Sequence, residues 1–348
     1  MTTENSWSEI LLNLKNKTDL NDTQSYWAMN QVMSGLAEAA QIKELLIGLK
    51  EKGETATEIT SFVDAMLEHS VKLDVSHNAV DTCGTGGDAL GTVNISTAAA
   101  IVVAGTGIPV VKHGNRAASS KSGSADVLEV LGIVTNMNAE QVLDSYLKCG
   151  ITFCFAPTFH PAMKYAGPIR KELAIPTVFN ILGPLANPAK PKAQVVGVAN
   201  LKMAPIVAQA LANRKVSAIV VRGLEGLDEI SISGPTQIWD ARNGEVKESL
   251  FDASDIGIKR ASLDELKGGD ANFNAKLILQ TLRNSGSEAI RDAICVNAAA
   301  SVVAYENPTG DFKSSMELAL ARTRGSLESG AALDVLNRWV EFSKNVRP

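Results

Sequence analysis

Aromatic residues are scarce in this chain of 348 residues: Phe, Trp and Tyr together make up 5% of it. Hydrophobic residues as a whole make up 45%, which is ordinary for a globular enzyme and excludes a disordered chain. We therefore expect a core built by close packing of helices on a sheet through small aliphatic side chains rather than through large rings.

A long hydrophobic run is also lacking. The longest candidate, Ala98–Val111, is interrupted by Gly105, Gly107 and Pro109, and a membrane helix needs roughly 20 apolar residues. The segment Met1–Trp7 is polar and lacks the basic-then-apolar order of a signal peptide.

Cysteine and net charge are low as well. The spacing of the four cysteines fits neither a zinc site nor a secreted disulfide framework; they are Cys83, Cys149, Cys154 and Cys295. We therefore expect reduced, buried thiols in a cytoplasmic protein. The formal net charge is −5, which gives no basic surface for nucleic acid. A phosphate ligand would have to be held by local donors.

The sequence pattern changes once along the chain, from helical segments to alternating strands and helices. About the first seventy residues are typical of helices, with capping-box starts at Asn21 with Gln24 and at Thr55 with Glu58. Near Asp74 short β-rich runs begin to alternate with helical stretches. The strands are predicted at Pro109–Val111, Ile151–Phe155, Val195–Val198 and Ala218–Val221. The helices between them are predicted at Thr97–Ala104, Ala125–Leu131, Ala139–Lys148 and Pro205–Asn213.

This order predicts an α/β fold: a small all-helical domain plus a larger α/β domain with a mostly parallel central sheet. We place the helical domain at residues 1–74, with a contribution from about 168–192, and the α/β domain at residues 75–348. In such sheets ligands bind at the carboxyl ends of the strands, so the loops that follow strands are the candidate site.

The first such loop is Asp81–Thr97, which opens Asp-Thr-Cys-Gly-Thr-Gly-Gly-Asp and ends Asn-Ile-Ser-Thr. Its glycines allow positive φ, and consecutive N–H groups in such a turn form an anion-binding nest. Asn94 and Ser96 then open a helix, whose free N–H groups favour a phosphate. The loop is not a Walker A motif, because Gly-Lys-Ser/Thr is absent.

The second loop, Lys112–Asp126, reads Lys-His-Gly-Asn-Arg-Ala-Ala-Ser-Ser-Lys-Ser-Gly-Ser-Ala-Asp. Its three cations and four serines are donors suited to a polyanion. His113 taken alone is compatible with a structural histidine, but its place between Lys112 and Asn115 favours a role in the site.

Together these motifs closely resemble those of the anthranilate phosphoribosyltransferase family, over most of the chain. The resemblance implies a nucleoside-phosphorylase-like phosphoribosyltransferase architecture, Mg²⁺ as cofactor, and the substrates phosphoribosyl pyrophosphate (PRPP) and anthranilate. It also implies a homodimer formed through the helical domain. From the charge and the lack of a long apolar run we expect no nucleic-acid or membrane partner. The implied PRPP-binding residues are Gly84, Gly87, Asp88, Thr92, Asn94, Ile95, Ser96, Thr97, Lys112, His113, Gly114, Asn115, Arg116, Ala117, Ala118, Ser119, Ser120 and Ser124.

The resemblance also assigns an aromatic-acid site in the stretch 156–188. The implied anthranilate-binding residues are Gly84, Asn115, His160, Tyr165, Arg170 and Gly183. The guanidinium of Arg170 suits bidentate binding of a carboxylate, although Lys171 and Glu172 beside it also fit a plain surface cluster. Members of the family often carry His at the position of Tyr165 and Arg at the position of Pro176. By the resemblance, the first departure affects the mouth of the path by which the aromatic acid enters its site.

Asp228 and Glu229 follow the Ala218–Val221 run, and adjacent acids at a strand end suit a hard cation. By resemblance they bind Mg²⁺ together with Ser96. The preceding turn departs from the family pattern at Arg222 and Glu225. We assign no acid or base catalyst, with His113 as the only candidate, because an arylamine is uncharged at neutral pH.

The implied activity is transfer of the phosphoribosyl group of PRPP to the amine of anthranilate, which gives N-(5-phosphoribosyl)anthranilate and pyrophosphate in tryptophan biosynthesis. Two alternatives stay open: a pyrimidine nucleoside phosphorylase, and a non-catalytic nucleic-acid-binding relative of the same fold. The second would want a basic surface, whereas the pI here is about 5.5.

Overall fold

The computed structural model describes residues 5–75, 78–117 and 120–346. Its N-terminal part holds four helices: α1 (Trp7–Lys15), α2 (Asp22–Met33), α3 (Ala39–Lys52) and α4 (Ala56–Glu68). Both predicted capping boxes are present, at Asn21 with Gln24 and at Thr55 with Glu58. They satisfy main-chain N–H groups that a helix start leaves without partners.

A seven-stranded sheet forms the larger part of the molecule. Its strands are β1 (Val80–Gly84), β2 (Val110–Gly114), β3 (Ile151–Phe155), β4 (Ala193–Gly197), β5 (Ser217–Gly223), β6 (Thr236–Asp240) and β7 (Lys247–Phe251). The order is β3-β2-β1-β4-β5-β6-β7. Strands β1 to β5 are parallel to one another, and β6 pairs antiparallel with both β5 and β7. The strand order reverses between β1 and β4, where ligand crevices form in such sheets.

Helices cover both faces of the sheet. They are α5 (Ile95–Gly105), α6 (Ser124–Val130), α7 (Ala139–Cys149), α8 (Ala156–Phe159), α9 (Met163–Leu173), α10 (Phe179–Leu185), α11 (Ala204–Asn213), α12 (Ala271–Leu282), α13 (Glu288–Glu306), α14 (Phe312–Glu328) and α15 (Ala331–Lys344). Two short 3-10 helices, Ala253–Ile256 and Leu263–Leu266, complete the described elements.

Alternate residues of each strand enter different cores, as the period of two requires. Val195 and Ile219 pack into the core under α5 and α13. Val196 and Val220 enter the core that also holds the apolar faces of α1 to α4. The predicted fold class, a small helical part plus a larger part with a mostly parallel sheet, is confirmed.

The segment around 168–192 contributes α9 and α10, which pack on the N-terminal helices: α9 on α2 and α3, and α10 on α4. Apolar residues of α10, such as Phe179 and Leu182, lie in the same core as those helices. The domain boundary near Asp74 stays a prediction.

Three strands were not predicted from the sequence. β1 carries a buried acid and a threonine among its five residues, and β6 and β7 extend the sheet in the antiparallel sense. The four predicted strands are present with shifted ends. All four cysteines are buried and free of disulfides, as expected. In the described part of the chain, no helix combines the length and apolarity needed to cross a membrane.

Candidate active site

The carboxyl ends of β1 and β4 are glycines that admit a loop directly above the sheet. A Cβ atom at Gly84 would collide with the carboxylate of Asp228, and one at Gly197 would collide with the main-chain carbonyl of Asp228. These two glycines are direct neighbours in the parallel pairing of β1 and β4. The loop after β5 therefore reaches across to the crevice between β1 and β4.

The two adjacent acids of that loop are held by main-chain N–H groups of the first loop. Oδ2 of Asp228 accepts from the N–H of Gly86 at 2.7 Å. Oε1 of Glu229 accepts from the N–H of Ser96, in the first turn of α5, at 3.0 Å. The N-terminal end of α5, expected to face a phosphate, thus also stabilises a carboxylate.

Asn297 of α13 fixes the residue that follows the acid pair. Its Oδ1 accepts from the N–H of Ile230 at 2.7 Å, and its Nδ2 donates to the carbonyl of Ile230 at 3.0 Å. The side chain is fully buried, so the main chain beside Glu229 is rigidly held. Sequence reasoning missed Asn297, because an asparagine in an otherwise apolar helix carries no site signal by itself.

The acid pair has too little positive charge around it to favour two ionised carboxylates. Burial, and then the neighbouring Asp88, raise the pKa of Asp228. Burial, and then Asp228, raise the pKa of Glu229, whereas Lys112 works to lower it. Nζ of Lys112 donates to the carbonyl of Thr82 at 2.5 Å and to Oγ of Ser96 at 3.3 Å. One cation faces three carboxylates here, so a further cation would stabilise the site.

Carboxylate oxygens are the donors that Mg²⁺ prefers, and it commonly takes one or two of them plus substrate phosphates. Within residues 5–75, 78–117 and 120–346, no group of three or more His, Cys, Asp or Glu side chains is arranged to hold a metal ion. The residues present therefore fit Mg²⁺ that completes its shell with substrate oxygens, and they do not fit an all-protein metal cage.

The expected limits of the first loop need correction. Residues 80–84 form β1, because Asp81 is satisfied inside the sheet and does not face solvent. Only residues 85–94 form the loop, and Gly86 and Gly87 take positive φ of 66° and 82°, as expected for a nest. Thr92 is pinned by a bridge to Lys267.

Asn94 connects the first loop to two other segments. Its Nδ2 donates to the carbonyl of Ser122 in the second loop at 3.0 Å, and its Oδ1 accepts from Asn274 of α12 at 2.8 Å. Its side chain makes no cap bond to α5. Ile95 and Thr97 are buried in that helix, so a ligand in the crevice would reach their main chain rather than their side chains.

The second loop is also shorter than expected. Lys112 and His113 are buried in β2, and Ser124 begins α6. Of the residues between, Asn115 and Ser120 are exposed beside the carboxyl end of β2. Ala118 and Ser119, which the resemblance places at PRPP, lie outside the described residues.

Acidic side chains of α6 hold part of the second loop. Arg116 pairs with Glu129 at 2.7 Å and with Asp126 at 3.1 Å. The carboxylate of Asp126 also accepts from the N–H groups of Ala117 and Gly123. The side chain of Arg116 is therefore engaged away from the acid pair.

A second group of side chains meets beside β2. His113 Nδ1 donates to the carbonyl of Gly183 at 3.1 Å. Its ring centroid lies 5.2 Å from that of His160, whose Nε2 donates to the carbonyl of Ala186 at 2.8 Å. Burial, and then His160, lower the pKa of His113 to about 3. His113 is thus neutral, with a bare Nε2 that has no hydrogen-bond partner among the described residues, and it is a weak base.

Beneath this group lies a buried polar chain that sequence reasoning missed. Asp81 accepts from the N–H of His113 at 3.3 Å and from Nδ2 of Asn187 at 2.9 Å. Burial raises the pKa of Asp81 to about 6, while Lys112 works to lower it. The sequence signal for this chain was Asp81, the first residue of the Asp-Thr-Cys-Gly motif. It was missed because Asp81 was predicted to lie in a solvent-exposed loop.

Arg170 and Tyr165 lie on α9, apart from the phosphate loops. The guanidinium of Arg170 is half-buried and sits 5.3 Å from the centroid of the Phe179 ring. Burial lowers its pKa, and no ion pair to it is found within the described residues. Tyr165 is exposed, with its ring against Gly35. The structure brings His113, His160 and Gly183 together, but it gives no contact from Arg170 to them.

The departures at Arg222 and Glu225 have structural partners. Nε of Arg222 donates to the carbonyl of Ala199 at 2.8 Å. Glu225 accepts from the hydroxyls of Ser231 and Ser233. Both side chains thus hold the turn before the acid pair. Nothing in the structure explains the departure at Pro176.

Comparison with known proteins places this site in context. Residues 76–333 match the model of the glycosyl transferase family, a/b domain, and residues 8–70 match that of its helical bundle domain. Anthranilate phosphoribosyltransferase of Salinispora arenicola is 47% identical over 99% of this chain and 99% of its own.

Solved structures resemble the whole chain. The crystal structure of anthranilate phosphoribosyltransferase from Thermus thermophilus superposes with a TM-score of 0.88 at 35% identity, over 96% of this chain and 99% of the other. The enzyme from Saccharomyces cerevisiae in complex with PRPP and Mg superposes with a TM-score of 0.87 at 27% identity, over 98% and 99%.

Proposed function

This chain belongs to the anthranilate phosphoribosyltransferase family, and from that premise we propose that it transfers the phosphoribosyl group of PRPP to the amine of anthranilate. The products are N-(5-phosphoribosyl)anthranilate and pyrophosphate, a step of tryptophan biosynthesis. The observation that carries the proposal is the Asp228–Glu229 pair, which main-chain N–H groups of the glycine-rich loop and of the start of α5 hold at the switch point of the sheet.

We assign PRPP to these two loops. The main-chain N–H groups of residues 85–88, the start of α5 and the hydroxyls of the second loop provide donors for its phosphates. Lys112 is the buried cation of the site, and it supports the start of α5 through Ser96. Its positive charge stabilises the negative charge that develops on the departing pyrophosphate.

Asp228 and Glu229, with Ser96, are the residues that would hold Mg²⁺. The ion, when bound, supplies charge neutralisation of the diphosphate. The chain's own task is to keep both carboxylates in place. The N–H of Gly86 holds Asp228, and the N–H of Ser96 holds Glu229. Asn297 fixes the main chain of Ile230 beside them.

Anthranilate is assigned to the side of β2 that carries His113, His160 and Gly183, with Arg170 at its carboxylate. The amine is uncharged at neutral pH and attacks the anomeric carbon as pyrophosphate departs. Positive charge at that carbon is shared with the ring oxygen, as in glycosyl transfer. The neutral His113 fits this reaction, because the site needs orientation of the amine rather than a strong base.

We further propose a homodimer formed through the helical domain and a cytoplasmic location. The four buried free cysteines support a reducing compartment. Light scattering of the purified chain would give its oligomeric state, and a monomer at micromolar concentration would overturn the dimer.

One assay tests the activity directly. The protein is mixed with Mg²⁺, PRPP and anthranilate, and the loss of anthranilate fluorescence is followed, with a reaction lacking PRPP as the control. Loss that requires both PRPP and Mg²⁺ supports the proposal. No loss, together with phosphorolysis of a pyrimidine nucleoside by inorganic phosphate, would favour the nucleoside phosphorylase instead.

A further inference from the structure

A cavity with a volume of ≈ 590 Å³ lies at the opposite edge of the sheet from the candidate active site. It is lined by α4 and the following Lys72, by residues 185, 187, 190–192 and 194 before and within β4, and by residues 213–216 before β5. These are the amino ends of β4 and β5, whereas the candidate active site lies at the carboxyl ends of the strands. The cavity therefore belongs to a different face of the molecule.

The lining of this cavity is strongly basic. It includes five basic residues and two acidic ones, a formal excess of three positive charges in a chain whose formal net charge is −5. The basic residues are Lys72, Lys190, Lys192, Arg214 and Lys215, and the acidic ones are Asp64 and Glu68. Cations gathered in a concave surface focus a positive potential there.

Arg214 is the most enclosed of these cations. Its Nε donates to Asp64 at 3.3 Å, and its Nη1 donates to the carbonyl of Leu185 at 3.0 Å. The side chain of Arg214 is 12% exposed, and that of Asp64 is 53% exposed. Burial lowers the pKa of Arg214 despite this partner. A further anion beside Arg214 would therefore be stabilised.

Two lysines at the cavity adopt a backbone conformation that disfavours them. Lys190 has φ of 47° and Lys215 has φ of 58°, both in the left-handed region. Glycine and asparagine occupy such positions with less strain. Lysine at both places puts two cations at one cavity at the expense of backbone strain.

We propose that this cavity binds a small anion that carries two or more phosphate or carboxylate groups. Five basic residues line one concave surface, whose volume suits a small molecule. Two of them also have other contacts: Nζ of Lys72 donates to the carbonyl of Glu68 at 2.9 Å, and Nζ of Lys192 lies 4.0 Å from the centroid of the Tyr305 ring. The two left-handed lysines and the enclosed Arg214 provide separate anchoring points. The proposal does not depend on the activity assigned above, since none of the five basic residues belongs to the candidate active site. The lining residue Asn187 also donates to Asp81 of the polar chain beneath that site.

The test measures binding of tripolyphosphate by isothermal titration calorimetry, in buffer without Mg²⁺ and at constant ionic strength. The cavity variant is Lys190→Asn with Lys215→Asn, because asparagine accepts the left-handed φ and removes the charge. The matched control is Lys17→Asn with Lys313→Gln. Lys17 also has a left-handed φ, of 56°, and neither control residue lines the cavity.

Tripolyphosphate can also bind at the loops assigned to PRPP, so the isotherms are fitted with two sites. We expect wild type and control to share both Kd values, and one of the two sites to bind at least about tenfold more weakly in the cavity variant, since charge-assisted contacts contribute on that scale. Lys192→Gln, which leaves the strained positions intact, should weaken binding as well. Thermal unfolding checks that each variant is folded. Equal Kd values for wild type, control and both cavity variants, or no saturable binding by wild type, would overturn the proposal.

Discussion

Arg170 is a half-buried cation whose observed partner is the face of Phe179. If it binds the anthranilate carboxylate, Arg170→Ala removes a charged hydrogen bond worth roughly 1.5–3 kcal/mol, which raises the KM for anthranilate about tenfold to hundredfold. Arg170→Lys should recover only part of the loss, because lysine lacks the two-pronged geometry. Steady-state kinetics that vary each substrate in turn give the result.

The matched control for Arg170 is Lys171→Ala, which removes an exposed cation from the adjacent position. It should leave both KM values unchanged. An anthranilate KM that stays at the wild-type value in Arg170→Ala would sink the assignment, and an altered PRPP KM would move Arg170 to the other subsite.

His113 makes folding stability depend on pH. Its folded pKa of about 3 lies below the unfolded value of about 6.5, so its contribution is complete above pH 6.5 and is lost as pH falls toward 3. Between pH 7 and 5 this amounts to about 2 kcal/mol of unfolding free energy. His113→Asn, whose amide can still donate to Gly183, should lose less stability over that interval.

Urea denaturation of both proteins at pH 7 and pH 5 measures this difference. His160 titrates in both proteins, since it is unchanged, and therefore cancels in the comparison. Equal losses of stability in wild type and His113→Asn would show that His113 is not held neutral by the fold.

At the level of elements, the sequence predicts what periodicity and capping control. Strands β2 to β5 and helices α5, α6, α7 and α11 were predicted apart from their ends, because apolar runs bounded by glycine and proline mark buried strands. Helices α8, α9 and α10, in the proline-rich stretch between β3 and β4, were not predicted. β1 was missed because Asp81 looks like a loop residue until Asn187, over a hundred positions away, is known to bond it. Strand ends shifted for the same reason: Lys112 and His113 find buried partners that only the folded chain supplies.

The sequence motifs indicate where the candidate site lies, but they do not indicate the hydrogen bonds within it. The glycine turn, the acid pair and the serine-rich loop all meet at the carboxyl edge of the sheet. The sequence could not indicate that Asp228 accepts from Gly86, or that Asn297 clamps Ile230, because these bonds join segments far apart in the chain. The need for glycine at positions 84 and 197 is likewise explained only by the folded chain, in which Asp228 lies directly above them.

The junction of β1 with the loop after β5 gives an element-scale prediction. In Gly84→Ala, the new Cβ would displace the carboxylate of Asp228. We expect the Mg²⁺ concentration for half-maximal rate to rise, while the fold persists. Gly325→Ala is the control, because a Cβ there meets open space in α14, and alanine favours a helix by up to about 1 kcal/mol. If Gly84→Ala and Gly325→Ala need the same Mg²⁺ concentration for half-maximal rate, Asp228 does not bind the metal.

At the scale of the whole molecule, burial of the acid pair lowers folding stability, a cost that the proposed metal-binding role would explain. The folded pKa values of Asp228 and Glu229 are raised by burial. Their contribution to stability is therefore complete below the unfolded values near 4 and is lost as pH rises through the folded ones. At neutral and higher pH the folded chain without metal carries this electrostatic cost, because Lys112 alone offsets it.

Asp228→Asn combined with Glu229→Gln should separate the two effects. The amide oxygens can still accept from Gly86 and Ser96, while the repulsion among three carboxylates disappears. We expect the variant to lose its activity at limiting Mg²⁺, yet without metal to unfold at the same or a higher temperature than wild type, with the gap widening from pH 6 to 9. Added Mg²⁺ should raise the Tm of wild type alone, by the stabilisation that any ligand of the folded state provides. A lower Tm for the variant throughout would mean that the carboxylates hold the loop by bonds an amide cannot replace, and full activity under limiting Mg²⁺ would remove the pair from the metal site.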